Sequence, residues 1–206
     1  MARLLEGVGE NSPQEYDRVY LKRKEKGIDV FDIKRWNRLL KHFEGGKLLD
    51  VGCLDSLVTS YAKEKYPVSE VWGIDVAKGA IDDMQERFPK IIFQVQDAYS
   101  TRFPPNYFDY IVAGEILEHM DSPEKFITEM FRILKKGGVL AISTPWEEER
   151  EVGAVDLHRH IWSFSFEDVD SLLVPHGDVW MRKLGSQFFP YYIYHWPVIL
   201  AFCRKK

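Results

Sequence analysis

From residue 45 onward the chain alternates short apolar runs with stretches of helical periodicity, and no other feature restricts its fold as tightly. Strand and helix in repeated succession bury each other well as a parallel sheet with helices on both faces. The apolar runs place strands at Lys47–Val51, Val71–Ile74, Ile91–Val95, Tyr110–Ala113 and Val139–Ser143, with two more at Val179–Leu184 and Val198–Cys203. The fourth and fifth are almost continuously apolar, the pattern of strands covered on both sides. Helices are predicted at Ser56–Lys65, Ala77–Phe88, Pro123–Lys135 and Phe166–Leu173, after two earlier ones at Ser12–Lys26 and Asp32–Phe43. The third has the clearest punctuation, with Ser122 as N-cap, Pro123 in the first turn and Gly137 past its end. No repeat, low-complexity tract or linker interrupts the 206 residues, a length that suits a single domain, 1–206.

In an open parallel sheet, ligands bind beyond the carboxyl ends of the strands, where the strand order reverses. Four of these ends carry an acidic residue: Asp50 before Gly52, Asp75, Asp97 before Ala98, and Glu115 after Gly114. Gly52 permits a tight turn and a close approach of backbone amides to a ligand. Asp75 suits two hydrogen bonds from neutral ribose hydroxyls and would repel a 2′-phosphate. Asp97 can accept from an exocyclic amine such as that of adenine. Asp50 and Glu115 add negative charge where a cationic part of the ligand would lie. Singly, each carboxylate is more simply a cap or a solvated loop residue. Together, at regular strand–helix spacing, they point to a nucleoside-bearing, positively charged ligand.

These motifs resemble a known family. Leu48-Leu49-Asp50-Val51-Gly52-Cys53, Trp72-Gly73-Ile74-Asp75 and Gln96-Asp97-Ala98 are similar to the first three motifs of class I S-adenosylmethionine-dependent methyltransferases. Phe108–Val112 with Glu115–His119, and Leu134–Leu140 with Ser143-Thr144-Pro145, resemble the fourth- and fifth-strand signatures of its small-molecule, type 11 branch. The resemblance implies an α/β, Rossmann-like doubly wound fold: a seven-stranded, mostly parallel sheet with an antiparallel last strand. It implies S-adenosylmethionine as cofactor. Asp50, Gly52 and Cys53 would hold its methionine part, Asp75 and Val76 the ribose, Asp97 and Ala98 the adenine, and Gly114 and Glu115 the sulfonium. Residues 1–44 would supply N-terminal helices that cover the cofactor site, with Tyr16 and Tyr20 facing it, over a core of 45–206.

The first motif departs from the family at Leu54 and Ser56, where glycine is usual. Leucine adds bulk and disfavours positive φ. The alternatives are a loop of different course, a looser hold on the cofactor, or a noncatalytic module that binds or regulates a partner. An NAD-dependent dehydrogenase would also use Asp75, but Gly52–Ser56 lacks the glycines of the dinucleotide fingerprint.

Methyl transfer from a sulfonium is an in-line displacement, so positioning carries much of the catalysis and a base is needed only for a protonated acceptor. His158 and His160 in the long loop after the fifth strand, and His119 after Glu115, are the candidates. The structural alternative for each is a backbone hydrogen bond that pins the loop. No third ligand accompanies His158 and His160, so no metal is expected. Glu147–Glu151 reads as a solvated segment or, alternatively, a lid. The aromatic group Phe188–Trp196 reads as packing, in the core or across a homodimer, or as an acceptor pocket.

The formal net charge is −4, and the basic cluster Arg18, Lys22, Arg23, Lys24 and Lys26 is interrupted by Glu25, the pattern of a solvated helix face. A nucleic-acid substrate is therefore not expected. Two distant cysteines and an N-terminus without an apolar core suit a cytoplasmic protein. Phe188–Cys203 is too short and too rich in proline to insert in a bilayer, though a weak peripheral contact stays open. The expected reaction is O-methylation of a small molecule.

Overall fold

The computed structural model describes residues 2–3, 12–26, 30–54, 58–146, 160–185 and 197–206. A two-residue strand β1 (Ala2–Arg3) precedes helices α1 (Pro13–Lys26) and α2 (Val30–Leu39). The alternating core follows as β2 (Gly46–Val51), α3 (Val58–Lys65), β3 (Val68–Asp75), α4 (Lys78–Arg87), β4 (Ile92–Val95), β5 (Phe108–Gly114), α5 (Pro123–Ile133) and β6 (Leu134–Pro145). The short β7 (Trp162–Ser163), α6 (Phe166–Leu173), β8 (Gly177–Leu184) and β9 (Val198–Lys205) complete it.

Seven strands form one sheet in the order β4-β3-β2-β5-β6-β9-β8. β2 pairs in parallel with both β3 and β5, so the order reverses at β2 and the ligand crevice opens there. β9 runs antiparallel to both β6 and β8, which leaves six strands parallel and one reversed, as the resemblance implies. The expected Rossmann-like architecture is the observed one.

The apolar runs are continuous because the sheet is buried on both faces. Leu49, Val51, Ile111, Ala113, Leu140, Ile142, Ile199 and Ala201 join one cluster with α5 and α6. Their neighbours Leu48, Tyr110, Val112, Val139, Ala141, Leu200 and Phe202 join another, with α2, α3 and α4. Alternate residues of each strand thus feed opposite layers.

Two local expectations need correction. The helix expected to reach Lys135 ends at Ile133, because Leu134 turns to an extended conformation and begins β6. Ser122 makes no side-chain cap. The working cap is at α6, where Ser165 accepts from the Asp168 N–H and the Asp168 carboxylate accepts from the Ser165 N–H. The pairing of β1 with β7 has too few residues to show in a pattern. No described helix is long and apolar enough to cross a membrane.

Candidate active site

At the switch point β2 ends in Asp50 and Val51, and Gly52 turns the chain with φ +68. A Cβ at Gly52 would lie 2.6 Å from Ile116 Cδ1, so the turn is packed against the segment after β5. The Gly52 and Cys53 N–H groups both donate to the Ile74 carbonyl, at 2.9 and 3.1 Å, and tie the loop to the end of β3.

Leu54 has φ +38 and its N–H donates to Asp75 Oδ2 at 2.9 Å. The leucine therefore adopts the left-handed backbone that glycine would take without strain, at a cost of roughly 1–2 kcal/mol. Its side chain packs beside Tyr16 and against a small cluster of Tyr20, Ala77 and Ala80. At Leu54, backbone strain stands where a glycine would have none. Leu54→Gly is accordingly expected to change stability by no more than about 1 kcal/mol, because relief of strain offsets lost packing and added chain freedom. A melting temperature lowered by more than about 8 °C would instead assign the leucine side chain the dominant role. Ser56 lies outside the described residues.

Asp75 is 8% exposed and accepts at both oxygens, from Leu54 N–H and, at 2.9 Å, from Ala77 N–H. Burial pushes its carboxyl above the ordinary range, held back by the backbone N–H groups of Ala77, Leu54 and half-buried Val76. Each oxygen keeps a second acceptor direction for a ligand hydroxyl. Asp97 is exposed and its Oδ1 accepts from Tyr99 N–H at 2.8 Å, while Ala98 is buried beneath it. The turn beyond them is fixed by Glu129 of α5, whose Oε1 takes the Thr101 N–H at 2.8 Å and the Thr101 hydroxyl at 2.6 Å.

A pocket at the reversal point is lined by Asp50, Gly52, Cys53, Leu54, Gly114 and Glu115, with Arg35, Trp36 and Leu39 of α2 closing one side. The structure thus brings together five of the expected cofactor residues, with Asp75 one hydrogen bond away through Leu54. Glu115 has φ +54, its N–H donates to the Ser143 carbonyl, and its Oε1 accepts from the Ser143 hydroxyl at 2.7 Å. Arg35 stands 3.8 Å from its other oxygen. Tyr20 is placed differently. It packs on α4 with its hydroxyl on Asp83, and burial and that carboxylate push its phenol to about 12. Asp17 of the same helix accepts from Gly79 N–H at 2.8 Å, so α1 is fastened to the start of α4.

A single 3-10 turn, Leu117–His119, follows Glu115. Glu118 is fully buried in it, with Oε2 taking the Thr144 hydroxyl at 3.0 Å. Burial raises its carboxyl well above the ordinary range, Glu115 adds to the shift and His160 opposes it. His119 and His160 meet edge to face with ring centroids 4.9 Å apart, and His160 Nε2 lies 3.9 Å from Glu118 Oε1. In the sequence His160 stands with His158 and shows no third partner. Sequence-distant turns supply the neighbours instead. His158, Glu147–Glu151 and Phe188–Trp196 lie outside the described residues.

Arg35, Trp36, Leu39 and Glu118 were assigned no site role from the sequence. The α2 residues carry no motif. Glu118 had a signal: polar Ser143-Thr144 closes an otherwise apolar strand, and those hydroxyls answer Glu115 and Glu118.

Strand order, reversed β9 and a pocket at the switch point define the Rossmann-like fold of class I methyltransferases. Residues 49–142 match the family model described as "Methyltransferase domain". That match takes in Gly52, Asp75, Asp97 and Glu115 and spans less than half of the chain. The chain is 25% identical over 160 residues to a probable S-adenosylmethionine-dependent methyltransferase of Mycolicibacterium smegmatis, covering 69% of this chain and 60% of that protein. It is 28% identical over 111 residues to the ubiquinone/menaquinone biosynthesis C-methyltransferase UbiE of Desulfotalea psychrophila, covering 51% and 45%. The chain therefore spans only part of these relatives. Among solved structures, it matches a chain of the complex between the Haloferax volcanii Trm112 methyltransferase activator and a methyltransferase, with TM-score 0.76 and 15% identity, over 93% and 98% of the two chains.

Proposed function

We propose that this chain binds S-adenosylmethionine along the crevice beyond β2, β3 and β5 and transfers its methyl group to an oxygen of a small molecule. The observation that carries the reading is the pocket between Asp50, Gly52, Gly114 and Glu115, joined through Leu54 to the doubly anchored carboxylate of Asp75. Two carboxylates beside the pocket suit the ammonium and sulfonium of this cofactor, and Asp75 suits its neutral ribose hydroxyls. Asp97 and Ala98 would border the adenine. Bound there, S-adenosylmethionine supplies an electrophilic methyl group on a sulfonium.

The chain's own contribution is chiefly positional. The Gly114–Glu115 turn, fixed by Ser143, holds the reacting end, and α2 limits water access from one side. An acceptor hydroxyl must lose its proton, and the Glu118, His119 and His160 cluster beside Glu115 is the group of side chains placed to assist. The relatives include a C-methyltransferase, so oxygen rests on that cluster rather than on kinship. Both cysteines are buried and neither is in a disulfide, which fits a reducing, cytoplasmic compartment.

Calorimetric titration with S-adenosylmethionine tests the reading. Saturable binding at micromolar to low-millimolar concentration is expected, and no heat at millimolar ligand would leave the noncatalytic module in its place.

A further inference from the structure

We propose that Glu118, His119 and His160 form a divalent-metal site beside the methyl-transfer pocket, one that binds an oxygen of the acceptor. The acceptor half of this proposal rests on the function proposed above. The metal half stands without it.

Each of the three residues offers one ligand atom, and these atoms all lie within 4.8 Å of one another. Ligands around a metal at about 2.0–2.2 Å are separated by roughly 3.0–3.5 Å, so movement of about 1–2 Å closes the set. The carboxylate provides an observation independent of clustering. Glu118 is fully buried, and its Oε1 has no hydrogen-bond partner, although it lies on the side that faces His160. A buried carboxylate oxygen with no donor is costly, and a divalent cation between it and two imidazoles offsets that cost.

The supporting contacts hold the three groups in place. Thr144 donates to Glu118 Oε2 and leaves Oε1 toward the cluster. The Ile161 N–H donates to the Glu118 carbonyl at 2.7 Å, and the Trp162 indole donates to the Met120 carbonyl at 2.7 Å. These two bonds clamp the residues after His160 onto the 3-10 turn. Tyr16 of α1 meets His119 edge to face, with centroids 6.1 Å apart.

Two imidazoles and one carboxylate suit manganese, iron, cobalt or zinc better than magnesium or calcium. Three protein ligands leave coordination positions open. Glu115, three residues before Glu118, lines the pocket, which puts the cluster beside it. The acceptor class that fits is a molecule with two neighbouring oxygens, such as a vicinal diol, enol or hydroxy acid, able to chelate. Metal coordination of the acceptor hydroxyl would favour its deprotonated form, so no histidine need serve as base.

The test is a titration of the full chain with Mn²⁺, followed by electron paramagnetic resonance of the free ion, and with Zn²⁺ by calorimetry. One ion per chain is expected. Glu118→Gln and His160→Ala are each expected to weaken Mn²⁺ binding about 10-fold or more, while His176→Ala, stacked far away on Phe131, leaves it unchanged. In the wild-type protein, Mn²⁺ should broaden the ring resonances of His119 and His160 more than those of His42 and His176, a readout that needs no variant to fold. Failure of both metals to bind, unchanged affinity in the Glu118 and His160 variants, or strongest broadening at His42 or His176 would overturn the site. Metal binding without S-adenosylmethionine binding would instead overturn the methyl-transfer reading and leave the site standing.

Discussion

Asp75→Ala is expected to weaken S-adenosylmethionine binding by about 10- to 150-fold, equivalent to roughly 1.5–3 kcal/mol. The wild-type carboxylate is held by Leu54 and Ala77 N–H groups, so its position is fixed before any ligand arrives. Under the proposed function, removing it takes away two acceptors for ribose hydroxyls and also frees the Leu54 and Ala77 amides. Both losses act in the same direction on affinity. Asp75→Asn separates them, because an amide oxygen still accepts one amide N–H and one hydroxyl. It should lose less affinity than the alanine variant. Calorimetry on both decides the matter, and unchanged affinity in Asp75→Ala would remove the ribose role.

Glu129→Ala is expected to destabilise the chain by about 3 kcal/mol, read as a shift in denaturant midpoint. Glu129 receives the Thr101 amide and hydroxyl and, at 2.7 and 2.8 Å, two nitrogens of Arg132. Arg132 in turn donates to the Phe103 carbonyl at 2.9 Å, so one carboxylate organises the whole turn after Ala98. The Arg132 side chain is 36% exposed, so solvent screens its pairing with Glu129. Burial alone would raise the Glu129 carboxyl, but the hydrogen bonds from Arg132 and Thr101 hold it below its ordinary value. A depressed folded-state value stabilises the fold above the unfolded value of about 4.3. That contribution is lost as pH falls through the folded value. The wild type should lose stability below about pH 4 more steeply than Glu129→Gln, and parallel acid profiles would refute the assignment.

The strands were legible in the sequence because burial on both faces makes their composition apolar without gaps, as in Tyr110–Ala113. Helix ends were less legible. Leu134 favours a helix by composition, yet pairing opposite Phe108 draws it into β6. The acidic strand ends could be read because chain topology places them at one edge. Their partners could not, since Arg35, Ser143 and His160 reach Glu115 and Glu118 only through packing of distant segments. Leu54 shows a different limit. Its identity argued for an altered turn, while the hydrogen bond to Asp75 holds the backbone in the strained conformation.

The reversal of β9 also settles where the chain enters and leaves its most aromatic stretch. Val198 pairs with Pro145 on one side and Leu184 on the other, and the Trp146 N–H donates to the Pro197 carbonyl at 2.8 Å. Lys183 Nζ lies 3.4 Å from the centre of the Trp146 ring at the same rim. The ends of β6 and β8 and the start of β9 therefore share the rim that carries Gly52 and Gly114. The chain leaves β8 at Leu184 and re-enters the sheet at Val198 on that same rim. Under the proposed function, the half of the sheet built from β6, β9 and β8 therefore opens onto the same edge as the donor site.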